Sequence, residues 1–96
     1  MMEQNDEQKY IRGVIEAILF VNEKPVALDQ LKKVLETVNA SDIKETIDQL
    51  KSEYEERKSG MTILEIAGGF QMLSNPVFAQ YLHNFYKTKL FYFVIV

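Results

Sequence analysis

Residues 41–60 have the sequence SDIKETIDQLKSEYEERKSG, and this stretch decides the predicted fold. Its apolar side chains recur at spacings of four, three and four, which places them on one stripe of an α-helix. They are Ile43, Ile47, Leu50 and Tyr54. Ser41 is suited to cap the first free backbone N–H groups, and Gly60 to end the helix in the left-handed conformation. The stretch therefore predicts one amphipathic helix over 41–58.

Two further helices are predicted before this one. Apolar residues recur with a helical period over 10–21, and this helix must end before Pro25, because the residue that precedes a proline avoids helical geometry. A shorter helix is predicted over 28–38, and only Asn39 and Ala40 separate it from the next. Two helices with so short a connection are typical of a helix-turn-helix.

A β-hairpin is predicted directly after the third helix, over 61–74. Gly68 and Gly69 suit a two-residue turn that needs positive φ at both central positions. The alternation of apolar residues then predicts an inward set and an outward set: Leu64, Ile66, Phe70 and Met72 face the core, and Ile63 and Leu73 face solvent. This leaves apolar side chains on the outer surface of the hairpin.

A fourth helix is predicted to begin at Asn75 and Pro76, since asparagine caps helices and proline is favoured at the first helical position. Its apolar face is wider than one small domain needs: Val77, Phe78, Tyr81, Leu82, Phe85 and Tyr86. The predicted fold class is α+β and mainly helical, a winged helix-turn-helix with three helices, a β-hairpin wing and an additional C-terminal helix.

The composition fits one small soluble domain. The 96 residues are 47% hydrophobic and 26% charged, with no cysteine. We expect a flexible polar lead-in at 1–9, a winged-helix domain at 10–86 and an atypical apolar tail at 87–96. Since residues 90–96 (LFYFVIV) contain no charge, turn residue or cap, we interpret them as a truncated or frame-shifted end. Seven apolar residues are far fewer than the roughly 20 of a membrane span, so a cytoplasmic location is expected.

No catalytic constellation is visible in the sequence. His83 is the only histidine, and without cysteine there is no Cys–His pair and no thiolate metal site. Glu53, Glu55 and Glu56 lie on a charged helix, and we interpret them as a solvated face. The glycine pair is followed by a strand rather than by the helix that a phosphate loop needs. We therefore predict no enzyme, no cofactor and no metal.

DNA binding is the first alternative for a winged helix. The third helix carries six acidic and four basic residues in a chain of net charge −3. Most non-specific affinity for DNA comes from cationic side chains that neutralise phosphates. A helix with a net negative charge is therefore expected to bind DNA weakly. A winged-helix DNA-binding transcriptional regulator stays open as the alternative, with phosphate contacts at Lys44, Lys51 and Arg57. The favoured interpretation is a protein-interaction domain with these candidate interface residues: Ile63, Leu73, Phe78, Tyr81 and Phe85.

Four segments resemble the amino-terminal domain of the segregation and condensation protein B family. They are residues 15–21 (IEAILFV), 24–31 (KPVALDQL), 50–54 (LKSEY) and 64–71 (LEIAGGFQ). The resemblance covers roughly residues 10–89. Full-length members continue into a second winged helix, where this sequence continues into its apolar tail.

The resemblance implies a function as well as a fold. It implies a non-catalytic, dimerising scaffold subunit of the bacterial SMC–kleisin condensin complex, which acts in chromosome condensation and segregation. The implied partners are a second copy of the chain, the kleisin subunit and, through the kleisin, the SMC ATPase. The implied location is the cytoplasm, in association with the nucleoid, and direct DNA binding, a membrane or a small-molecule substrate is not expected.

Overall fold

The computed structural model describes residues 4–87. Its elements follow the order of a winged helix-turn-helix: α1 (Gln4–Val21), β1 (Val26–Ala27), α2 (Leu28–Val34), α3 (Ala40–Glu56), β2 (Met61–Ile66), β3 (Gly69–Ser74), a 3-10 turn (Pro76–Phe78) and α4 (Ala79–Lys87). The three strands form one antiparallel sheet in the order β1-β3-β2. The predicted three helices, wing and C-terminal helix are all present.

The hydrophobic core lies between α1, α2, α3 and the inner face of the sheet. It consists of ten buried side chains: Ile15, Leu19, Val26, Leu31, Ile43, Ile47, Leu50, Tyr54, Ile63 and Phe70. The four residues of the predicted α3 stripe are all buried. Each fully buried aliphatic side chain contributes about 1.5–3 kcal/mol, so this stripe is a main support of the fold.

The helices begin and end differently from the prediction. Helix α1 begins at Gln4, so residues 4–9, predicted as a flexible lead-in, are part of a helix. Helix α2 ends at Val34 rather than at residue 38, because Leu35 leaves helical geometry with φ −103° and ψ 64°. Helix α3 begins at Ala40 with Asn39 in the capping position, so Ser41 is not its cap.

The end of α3 is formed by a lysine rather than by Gly60. Lys58 has φ 53°, and Gly60 is not among the residues with positive φ. The Lys58 N–H donates to the Glu55 carbonyl at 3.2 Å, and the Ser59 N–H donates to the Tyr54 carbonyl at 2.8 Å. This pair of hydrogen bonds is the Schellman motif, with Lys58 as the left-handed residue.

The turn of the hairpin lies one residue earlier than predicted. Its central residues are Ala67 and Gly68, with φ 50° and 77°. Gly69 is the first residue of β3 and pairs with Ala27 of β1, a two-residue strand that we did not predict. A Cβ atom at Gly69 would lie 2.8 Å from the carbonyl oxygen of Val26. The second glycine therefore allows β1 to approach β3.

The predicted faces are wrong for β2, whereas Phe70 and Met72 of β3 face the core as predicted. Ile63 is only 1% exposed, whereas Ile66 is 40% exposed. In the observed register Ile63 pairs with Met72, and Phe70 pairs with Glu65. A two-residue turn always places even-numbered residues of β3 opposite odd-numbered residues of β2, and directly opposed residues share a face. Ile63 therefore faces inward together with Phe70.

Two further sequence predictions concern the apolar tail and membrane insertion. The predicted apolar tail lies, apart from Lys87, outside the described residues. Within residues 4–87, no helix is long and apolar enough to cross a membrane.

Candidate protein-interaction surface

Hydrogen bonds of Asn75 fix the segment that precedes α4. The Asn75 side chain accepts a hydrogen bond from the Val77 N–H at 3.0 Å, and Pro76 follows at the first position of the 3-10 turn, which confirms the predicted helix start. The Asn75 N–H also donates to the Gly60 carbonyl at 2.7 Å. The direction in which α4 leaves the domain is therefore fixed by the loop that follows α3.

Beyond this segment, α4 is poorly covered. None of its residues is buried, and its main packing partner is the 3-10 turn that precedes it. Tyr81 of α4 is 74% exposed, and Val77 of the 3-10 turn, four residues earlier, is 72% exposed. The neighbouring stripe is half-buried and consists of Phe78, Leu82 and Tyr86. An amphipathic helix with its apolar face in water is typical of a binding surface.

The five predicted interface residues differ in their exposure to solvent. Tyr81 and Phe85 are exposed on α4, and the Phe85 ring lies 5.3 Å from the Tyr86 ring in an edge-to-face arrangement. Phe78 and Leu73 are half-buried. Ile63 lies in the core and is removed from the candidate surface, because a side chain that is 1% exposed cannot contact a partner.

A second apolar surface lies on α1, and the sequence interpretation missed it. Tyr10, Phe20 and Val21 are 64%, 70% and 72% exposed, with Gly13 and Ala17 exposed between them. These five residues form a stripe that we call the α1 outer face. In its C-terminal half α1 is apolar nearly all round, a pattern that by itself is typical of a central core helix. Since a domain of this size covers only one side of such a helix, the same pattern indicates a second surface.

The polar side chains between α1 and α3 stabilise that helix pair. Arg12 forms an ion pair with Glu53, and the Tyr54 hydroxyl donates a hydrogen bond to Glu16. Burial of the ring, and then the hydrogen bond to Glu16, raises the pKa of Tyr54 well above its ordinary value. Glu53 is therefore half-buried in a structural contact rather than part of the predicted solvated face, whereas Glu55 and Glu56 are exposed as predicted.

The three cations considered for DNA phosphates are engaged or partly covered. Lys44 lies 3.5 Å from Asp48 and 3.7 Å from Glu65, with its ammonium group 5.8 Å from the centre of the Phe70 ring. Arg57 stacks on Tyr54 at 5.3 Å. The third, Lys51, is half-buried. Two of the three cations are thus engaged by neighbouring side chains, and the third is partly covered.

Metal ligands are not clustered in the described part of the chain. Among residues 4–87, no group of three or more histidine, cysteine, aspartate or glutamate side chains could hold a metal ion.

Comparison with known proteins identifies the family. The model of the family "Segregation and condensation complex subunit ScpB" matches residues 13–91. The chain belongs to the ScpB family. Segregation and condensation protein B of Myxococcus xanthus is 33% identical over 79 residues, which are 82% of this chain and 24% of that protein. The corresponding protein of Moorella thermoacetica is 34% identical over 80 residues, 83% of this chain and 40% of that protein.

Solved ScpB structures confirm the predicted fold class. The structure of ScpB from Mycobacterium tuberculosis aligns with a TM-score of 0.80 at 22% identity, over 91% of this chain and 54% of that chain. A dimer of the ScpB N-terminal domain complexed with a ScpA peptide aligns with a TM-score of 0.75 at 26% identity, over 82% of this chain and 98% of that chain. The chain spans between about a quarter and two fifths of the two ScpB proteins named above, and it matches nearly all of the N-terminal domain.

Proposed function

We propose that this chain is a non-catalytic, dimerising scaffold subunit of a bacterial SMC–kleisin condensin complex, which acts in chromosome condensation and segregation. Its partners are a second copy of itself, a kleisin of the ScpA type and, through the kleisin, the SMC ATPase. It acts in the cytoplasm at the nucleoid. Membership of the ScpB family supports this proposal, as does the similarity to an N-terminal domain that was crystallised as a dimer with a ScpA peptide.

The exposed apolar stripe of α4 is the observation that carries dimerisation. Tyr81 of α4 and Val77 of the preceding 3-10 turn are both more than 70% exposed, and neither element has a buried residue. Burial of a side chain of this size against a partner contributes about 1.5–3 kcal/mol. The proposed contact surface consists of Val77 and the four remaining predicted residues: Leu73, Phe78, Tyr81 and Phe85.

DNA binding is not supported by a comparable observation. The cations Lys44 and Arg57 are engaged by neighbouring side chains, while Glu55 and Glu56 remain exposed at the end of α3. Because DNA affinity depends on free cations that replace counterions, we do not propose the transcriptional regulator.

Titration of the chain with a kleisin segment tests the proposal. The ligand is the peptide of ScpA from the same genome that corresponds to the segment in the related complex, and a peptide of the same composition in scrambled order is the control. We expect calorimetry to show saturable binding of the ScpA peptide and none of the scrambled one. Equal heats for the two peptides, or no binding at millimolar concentration, would contradict the kleisin part of the proposal.

A further inference from the structure

We propose that a charged cavity between α1 and the C-terminal half of α3 binds the carboxylate of one aspartate or glutamate side chain, which an acidic segment of a protein partner presents. The cavity has a volume of about 330 Å³. It shares no residue with the proposed α4 surface, so the inference depends neither on dimerisation nor on the kleisin. It assigns a further interaction site to the domain.

The lining of this cavity comes from one side of each helix. The α1 residues follow at spacings of three, one and three, and those of α3 and its C-terminal cap at spacings of three and four, which keeps each set on one side. They are Lys9, Arg12, Gly13 and Glu16, and Leu50, Glu53 and Arg57. Nothing lies within 4 Å of the place that a Cβ at Gly13 would occupy. Gly13 therefore leaves room for an incoming side chain between the charged groups.

Both carboxylates of the cavity are held by the opposite helix. Glu53 of α3 pairs with Arg12 of α1, and Glu16 of α1 accepts a hydrogen bond from the Tyr54 hydroxyl of α3. The two acidic side chains are thus fixed within the helix pair, and neither forms an ion pair with the remaining cations of the cavity.

Two cations of the cavity have no carboxylate partner. Among residues 4–87, neither Lys9 nor Arg57 forms an ion pair. The Arg57 guanidinium stacks on the Tyr54 ring, with its central carbon 5.3 Å from the ring centre. Stacking covers the face of a guanidinium and leaves its N–H edge free for an acceptor. Arg57 is therefore oriented but keeps donors for a ligand.

The charge of the lining fits one carboxylate. Three cations and two carboxylates leave a single positive charge, which one aspartate or glutamate side chain neutralises. A guanidinium edge also matches the two oxygens of a carboxylate. A polyanion such as DNA would exceed this charge and would meet Glu55 and Glu56, which are exposed at the end of α3.

The same lining favours a protein partner over a small molecule. Sites for small molecules are lined mostly by apolar side chains, whereas five of these seven residues are charged. Charged groups of this kind usually face complementary charges across a protein interface, where they contribute more to specificity than to affinity. We therefore expect the cavity to select one acidic residue within a larger contact.

Titration with two blocked tripeptides, followed by NMR, tests the site. One peptide has glutamate between two alanines and the other has glutamine there, so the pair differs only in charge. At low salt the glutamate peptide is expected to bind with a Kd on the order of tens of millimolar, because exposed ion pairs are weak. It is expected to shift the amide signals of Gly13 and Arg57. The glutamine peptide is expected to bind about fivefold more weakly.

Two substitutions identify the cations that bind the carboxylate. Lys9→Gln and Arg57→Gln each remove one charge at an exposed position, and each is expected to weaken binding of the glutamate peptide about threefold. Lys33→Gln removes an exposed charge on α2 and is the matched control, with no expected change. A native amide spectrum shows that each variant is folded.

Three results would overturn the inference. Equal binding of the two peptides, or no binding of either at these concentrations, would show that the cavity does not select a carboxylate. Tighter binding of inorganic phosphate than of the glutamate peptide would assign the cavity to a small phosphate ligand instead. An equal loss of binding in Lys33→Gln would indicate general attraction to the surface. The tripeptides contain no ScpA sequence, so none of these results decides the kleisin titration or the dimer.

Discussion

The carbonyl oxygen of Val26 lies 2.8 Å from the position that a Cβ atom at Gly69 would take. At that distance an added methyl group must displace the backbone of β1. The two adjacent glycines of the wing therefore have different tasks: Gly68 adopts the positive φ of the turn, and Gly69 allows two strands to meet.

Replacing Gly69 with alanine is expected to destabilise the domain. Gly69→Ala forces the neighbouring backbone to move, and overpacking of this kind costs about 1–3 kcal/mol. Gly60→Ala is the matched control, because nothing lies within 4 Å of its Cβ position. Urea unfolding followed by circular dichroism measures both. Equal free energies of unfolding for the two variants would show that β1 does not press on Gly69.

The wing shows what the sequence could and could not predict about the fold. The period of the α3 stripe is set by one helix and was predicted correctly. The turn position depends on β1, which has only Val26 and Ala27 and no pattern of its own. The inward position of Ile63 follows from the parity of a two-residue turn together with the inward position of Phe70. Hydrophobicity alone did not show it, since both faces of the hairpin carry apolar residues.

Lys58 offers a stabilising substitution. Its φ of 53° is unfavourable for a residue with a side chain, by roughly 1–2 kcal/mol. Lys58→Gly is therefore expected to raise the free energy of unfolding by about 1 kcal/mol, while Lys51→Gly, inside α3, is expected to lower it by about 1 kcal/mol. Thermal and urea unfolding measure both changes. A loss of stability in Lys58→Gly would contradict the Schellman assignment.

Tyr54 makes stability depend on pH in the alkaline range. Burial and the hydrogen bond to Glu16 raise its pKa, so the folded state holds this proton more tightly than the unfolded chain, in which tyrosine titrates at about 10. The contribution is present below pH 10 and is lost progressively as the pH rises above it.

Tyr54→Phe tests this contribution. At pH 7 to 9 the substitution is expected to cost a constant amount of about 1 kcal/mol, because the hydrogen bond to Glu16 is lost. Above pH 10 the difference in the free energy of unfolding between the unsubstituted chain and the variant is expected to shrink. Tyr54 then loses its proton in the unfolded state of the unsubstituted chain, whereas phenylalanine has no proton to lose. Urea unfolding at pH 7, 9 and 11 provides the comparison. A difference that grows with pH would contradict the predicted direction.

Lys44 is expected to matter for stability and not for DNA. Lys44→Ala removes the ion pair with Glu65, which is partly exposed to solvent, and the long contact with the Phe70 ring. The expected loss in the free energy of unfolding is therefore up to about 1 kcal/mol. Fluorescence anisotropy with duplex DNA at low salt is expected to show no saturable binding before or after the substitution. Tight binding that weakens steeply with salt and with Lys44→Ala would revive the regulator alternative.

The candidate surface was only partly predictable. The excess apolar width of α4 was visible in the sequence, because it follows from the spacing within one helix. The exposure of Phe20 and Val21 was not predicted, since it depends on which side of α1 the other helices cover.

The molar mass of the full chain in solution tests the central claim most directly. Light scattering over a concentration series compares the native chain with Tyr81→Glu and with His83→Glu, an exposed position on the other side of α4. We predict that the native chain and His83→Glu have twice the 11.2 kDa of one chain. Tyr81→Glu, with native circular dichroism, is predicted to have the mass of one chain. A folded Tyr81→Glu dimer, or a native chain that stays monomeric at every concentration, would contradict dimerisation through α4.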